Sequence, residues 1–226
     1  MGEVPVYVCR RTPQPIVVDG VLDEATWRRA LPVGDFRLTD GGEPQLPTEL
    51  KLCWDESNLY LAFAVIDTDI WGTLLRRDDP IYEEEAVEAF LAPTGDPTGY
   101  FEFEWSPRNV VFDARIACPA LEGDRGGMRA EVGWDCRGQR SAVRVVGTLD
   151  CRDDLDQQWT VEAALPFVEI GREGRAPQEG EEWRANFYRI ERAGAGEFSC
   201  WSPTLKPDFH VPGRFGRIVF STKWED

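Results

Sequence analysis

Apolar and polar positions alternate, or apolar positions run on unbroken, in nine short stretches of this 226-residue chain: 49–54, 59–66, 86–92, 100–105, 110–116, 142–149, 159–165, 183–190 and 216–220. Each is bounded by Gly, Pro, Asp or Asn, the residues that punctuate strands. Alternation with period two sends successive side chains to opposite faces, and many such stretches at short spacing predict an all-β fold, an antiparallel β-sandwich. Helical patterning is confined to 23–30, where Asp23 is placed to cap a turn carrying Ala25, Trp27 and Ala30, and to 166–170 after a strand. No repeat, low-complexity tract or long linker breaks the pattern. Residues 1–226 therefore read as one domain, with 120–127 as a mobile polar loop.

The alternation also assigns faces. In 100–104, Phe101 and Phe103 belong to the core, which turns Tyr100, Glu102 and Glu104 outward onto a sheet face that can be concave. Glu88 interrupts the apolar stretch Val87–Phe90, so it is expected to pair with a cation, Arg77 or Arg189. Five tryptophans (Trp27, Trp54, Trp105, Trp159 and Trp183) lie in strand or helix patterns and read as core. Trp71 in Asp-Thr-Asp-Ile-Trp and Trp201 in Ser-Cys-Trp-Ser-Pro stand in polar, turn-rich surroundings, where an exposed indole can serve as a binding plate. His210, in Phe-His-Val-Pro, reads as a structural histidine.

Composition narrows the partners. With 41 acidic against 25 basic side chains and a formal charge of -16, the surface repels nucleic acid and anionic lipid and suits neutral ligands or cations such as calcium. No stretch is apolar for the roughly 20 residues a membrane span needs, and the first residues lack the basic and long apolar regions of a signal peptide. Position 6 lacks the Ser or Thr that myristoylation of Gly2 requires. The expectation is a soluble protein, cytoplasmic or exported with its leader removed. Six scattered cysteines with one histidine and no Cys-x-x-Cys pair exclude a zinc-site pattern, while disulfides and buried thiols both stay open. Asp67 with Asp69, Asp78 with Asp79, and Asp150, Asp153, Asp154 and Asp156 offer oxygens for calcium without the spacing of a dedicated loop.

Four ordered motifs carry a resemblance: Pro15-Ile16-Val17-Val18-Asp19-Gly20-Val21-Leu22-Asp23-Glu24-Ala25-Thr26-Trp27, Trp54-Asp55-Glu56-Ser57-Asn58-Leu59-Tyr60-Leu61-Ala62-Phe63, Glu85-Ala86-Val87-Glu88-Ala89-Phe90-Leu91 and Phe209-His210-Val211-Pro212-Gly213-Arg214-Phe215-Gly216. Together the chain resembles carbohydrate-binding module family 9. The resemblance implies an antiparallel β-sandwich that grips a sugar between two tryptophans, with structural calcium bound elsewhere. By sequence order Trp71 and Trp201 look like that pair. Arg77, Glu88, Glu102, Asn109, Asp113 and Arg189 are the polar residues expected around the sugar, with Arg76 and the Glu83-Glu84-Glu85 run nearby. Apart from Asn109, these positions are acidic or Arg where the family leads one to expect amides. The implied ligand is a saccharide chain end or short oligosaccharide, bound without chemistry and in association with a glycan-degrading system. No cofactor is required beyond a structural calcium.

Three other readings stay open. A glycoside hydrolase needs only two facing carboxylates, which Glu88, Glu102 and Glu104 could supply. Related sandwiches bind haem, for which Met128 and His210 are the internal candidates. A sandwich can also serve protein association through an exposed face.

Overall fold

A computed structural model describes residues 3–224. It contains thirteen strands: β1 (Val6–Arg11), β2 (Arg37–Leu38), β3 (Thr48–Trp54), β4 (Asn58–Ile66), β5 (Ala86–Ala92), β6 (Gly99–Trp105), β7 (Val111–Ala117), β8 (Arg129–Glu131), β9 (Arg140–Val146), β10 (Gln158–Pro166), β11 (Glu182–Glu191), β12 (Glu197–Cys200) and β13 (Gly216–Ser221). Two short helices, α1 (Ala25–Arg29) and α2 (Phe167–Ile170), accompany them. All nine expected strands are present. Of the four others, β2, β8 and β12 are only two to four residues long, where periodicity has few residues to act on. The fourth, β1, is six residues long, lies between β13 and β3 and was not among the expected strands.

The strands form one curled sheet in the order β8-β7-β6-β5-β11-β13-β1-β3-β4-β10-β9, with β12 beside β11 and β2. Pairing is antiparallel except at β1, which runs parallel to both β13 and β3. Curling lays the β5–β7 side over the β3–β4–β10 side, and the inward residues meet in the main core. Phe63 of β4 and Trp105 of β6 have ring centroids 6.3 Å apart across the two layers. Trp159, Trp183, Phe103 and Phe187 fill the same core. Burial of such rings removes 150–250 Å² of surface each and dominates the energetics.

Two local expectations are corrected. Asp23 does not cap α1; the N-cap is Glu24, without a side-chain hydrogen bond to the helix, and Glu24 Oε1 instead accepts from Val17 N. The polar loop 120–127 is tied into the structure, because Arg125 forms a two-pronged pair with Asp208 at 2.7 Å and Gly213 N donates to Leu121 O. All six cysteines are free thiols. No helix among the described residues is long and apolar enough to cross a membrane. Gly2 lies outside the described residues.

Candidate functional site

The outer face of β5, β6, β7 and β11 is not a solvated surface. Its outward residues form a second apolar cluster, in which Phe90 stacks on Tyr100 with centroids 5.2 Å apart and Tyr188 on Phe209 at 4.2 Å. His210 covers Phe90 at 5.1 Å, and its Nδ1 lies 2.5 Å from the Tyr100 hydroxyl. Burial pushes the His210 pKa down to about 4, so the ring is neutral at ordinary pH and has the structural role expected of it.

Beside this cluster the same face opens into a cavity of about 460 Å³. Glu88, Glu102 and Glu104 lie along its floor, and Tyr82, Phe112, Phe198 and Phe209 supply aromatic surface. Tyr82 and Phe198 are the open plates, 42% and 37% exposed, each braced edge-on by a neighbour: Tyr82 by Phe112 at 5.6 Å and Phe198 by Phe209 at 6.0 Å. Arg192 spans them, donating to Tyr82 O at 3.0 Å while its guanidinium lies 4.8 Å from the Phe198 ring centre. Arg125 and Asp208 close another wall.

The three glutamates are the unusual feature. Glu88 and Glu104 stand directly opposite in the antiparallel β5–β6 register, and Glu102 is two residues away on the same face. One oxygen from each lies within 4.8 Å of the others, and all three side chains are buried. Neither carboxylate oxygen of Glu104 meets a donor. Burial first, and mutual repulsion second, push Glu88 and Glu104 well above the usual carboxylate range. Burial also lifts Glu102 to about 8, against a lowering by Arg125.

Of the eight residues expected in the site, the structure brings only Glu88 and Glu102 into this cavity. Trp201 is a core residue: 3% exposed, its Nε1 donates to Val33 O at 2.7 Å and its ring packs on Phe187 at 5.6 Å. The expected slot between Trp71 and Trp201 is therefore absent. Trp71 lies half-buried in a separate hollow with Arg108, Asp150 and Arg152, whose guanidinium covers the indole at 4.8 Å. Arg77 and Arg189 do not pair with Glu88. Arg77 bonds Asp113 at 2.5 Å and Asp135 at 2.7 Å, and the fully buried Asp113 takes Cys136 N as well. Arg189 is buried between Asp67 and Glu191 and donates to Leu46 O and Ile66 O. Asn109 sits at the β6–β7 turn with φ of 58° and exchanges hydrogen bonds with Ser141.

Within the acidic run, Glu83 is exposed, whereas Glu84 accepts from Thr73 N and Leu74 N, and Glu85 from Trp71 N. Arg76 is spent on Asp79. The cavity residues that sequence reading passed over are Tyr82, Phe112, Arg125, Arg192, Phe198, Asp208 and Phe209. Only Phe112 lies in a strand pattern, and alternation from core-facing Val111 and Asp113 marks it as outward.

The calcium expectation meets a partial fit. Asp67 converges with Glu85 and Glu191 rather than with Asp69, and Asp78 with Asp113 and Asp135 rather than with Asp79. Asp150 and Asp156 are engaged by Gly72 N and by Thr148 N and Ile70 N. In the first group Glu85 Oε1 is buried without a partner, and burial lifts Glu85 to about 10. All donors are carboxylate oxygens, as a hard cation prefers.

Residues 43–220 match the model of carbohydrate-binding family 9. The chain belongs to that family. Family 9 is a non-catalytic carbohydrate-binding family. This family 9 chain is also 27% identical over 192 residues to an "Extracellular protein" of Arthroderma benhamiae, covering 79% of this chain and 80% of that protein. Its fold superposes on a family 9 module from Caldicellulosiruptor kristjanssonii in complex with cellotriose, with a TM-score of 0.64, 15% identity and 97% and 95% of the two chains covered. The glucose complex of a family 9 module from the same organism gives a TM-score of 0.58 at 16% identity, covering 97% of each chain. The β-sandwich inferred from alternation is thus the family's fold.

Proposed function

We propose that this protein holds a saccharide, a chain end or short oligosaccharide, in the cavity over β5, β6, β7 and β11, and releases it unchanged. The observation that carries the reading is the coexistence, in one 460 Å³ space, of exposed aromatic plates with a floor of hydrogen-bond acceptors. A pyranose offers both counterparts: C–H faces that suit an aromatic ring, and hydroxyls that donate to carboxylates. Tyr82 and Phe198 take the stacking role that sequence order gave to Trp71 and Trp201. Glu88, Glu102 and Arg192 supply the carboxylate and Arg contacts. Family membership and the sugar-bound structural neighbours support the saccharide reading; the cavity's lining supports the placement.

The test is calorimetry with cellotriose. Phe198→Ala and Tyr82→Ala are each expected to cost ~1–3 kcal/mol of binding, the range of a truncated aromatic anchor, while Trp71→Ala leaves affinity unchanged. Loss of binding in the Trp71 variant with retention in the other two would refute the placement. Release of reducing ends during the same incubation would replace binding with hydrolysis.

Structural calcium, implied by the family, is best placed at Asp67, Glu85 and Glu191. Held there it would offset the carboxylate charge that Arg189 leaves over. A saturable rise in melting temperature on adding calcium, lost in Glu85→Gln, is the expected result; identical melting with calcium and with chelator would remove the site.

A further inference from the structure

The floor of the cavity gathers three ionisable carboxyl groups, more than a neutral sugar needs. Like charges directly opposite in an antiparallel pair are destabilising, and burial makes the repulsion of Glu88 and Glu104 costlier still. Among the described residues no Arg or Lys forms an ion pair with any of the three glutamates; the nearest basic atom is His210 Nε2, 3.9 Å from Glu102. Arg125 is committed to Asp208, and Arg192 to Tyr82 O and the Phe198 ring. A cation seated there would let the floor ionise, and the space for it is the cavity itself.

Geometry limits its kind. Three oxygens within 4.8 Å of one another enclose a point no more than about 2.8 Å from each, the length of a charge-assisted N–H···O bond. An ammonium brings three donors for three acceptors. Calcium would seek six to eight oxygens, but beyond the glutamates the lining offers few: Asp208 is paired with Arg125, and Phe90, Phe112 and Tyr82 are among the aromatic neighbours. Aromatic faces around a carboxylate floor favour an organic cation, because the rings attract positive charge as well as C–H surface.

Resting on the saccharide reading above, we infer that the preferred ligand is an amino sugar, a pyranose whose protonated amine seats on Glu88, Glu102 and Glu104 while its ring stacks on Tyr82 and Phe198. Without a ligand the protonated form is favoured, since burial raises all three glutamates and repulsion by their neighbours raises Glu88 and Glu104 further. Arg125 opposes this at Glu88 and Glu102, and Arg192 at Glu88. Seating an ammonium reverses the preference, so binding expels protons into solution.

Calorimetry at about pH 6.5 compares the trisaccharide of β-1,4-glucosamine, its fully N-acetylated form and cellotriose. The amine-bearing sugar is expected to bind at least ~10-fold tighter than both neutral ones, with a heat that changes between phosphate and Tris buffers as protons are released. Glu104→Gln, checked for its fold by circular dichroism, is expected to erase the ratio between the sugars. Equal affinity for all three sugars overturns the amine preference and leaves the saccharide site standing. Binding of none of them overturns both. A neutral sugar that binds as tightly as the amine once calcium is added would assign the floor to a metal ion and overturn the ammonium.

Discussion

At the scale of single residues, the titration of the buried glutamates is the sharpest handle on the site. A carboxyl whose folded pKa lies above its unfolded value binds more protons in the native state, so it adds nothing unfavourable at low pH and costs stability as pH rises through the window. For Glu102 that window ends at about 8. His210 acts in the opposite sense at lower pH: with its folded pKa depressed to about 4, stability rises from there until the unfolded imidazole has lost its proton. The melting temperature of the unliganded protein is therefore expected to fall between about pH 6.5 and 8, and to fall less in Glu104→Gln. Parallel curves for the two proteins across that range would show that the glutamates are not coupled in the folded state. Glu102 and Glu104 were legible from sequence because the alternating Phe101 and Phe103 fix the pleat. Tyr82 and Phe198 were not, since one lies in the single turn Ile81–Glu83 and the other in a four-residue strand, too short for periodicity to declare a face.

At the scale of elements, the reassignment of Trp201 follows from partners that sequence cannot bring together. Its indole N–H is satisfied by Val33 O, 168 positions away, and its ring rests on Gly216 at the start of β13. A Cβ at Gly216 would come within 2.4 Å of that ring, so glycine there creates the room the tryptophan fills. Trp201→Ala is accordingly expected to lower stability by ~3–5 kcal/mol, the cost of emptying a buried aromatic site, as read by denaturant unfolding. A loss below about 1 kcal/mol would mean that the indole is not a core element. The polar setting that made Trp201 look exposed is a real signal with a different cause. Ser202 N and Ser202 O bond the buried Asn186 side chain, so the serine belongs to a buried turn.

At the scale of the whole molecule, nine of the thirteen strands and the β class were legible because period-two patterning is local. The parallel placement of β1 was not, because it depends on β3 and β13 from distant parts of the chain. The same curling that joins the two layers bends β5, β6, β7 and β11 so that their outer residues line one cavity, covered by 207–210, Phe198 and Tyr82. The fold thus sends most indoles inward, while smaller aromatics and carboxylates line the cavity proposed to take the ligand. A crystal soaked with cellotriose tests this division most directly. The expected result is a pyranose ring stacked on Tyr82 or Phe198 with hydroxyls on Glu88 or Glu102. Sugar density against Trp71 and Arg152, with the cavity empty, would contradict it.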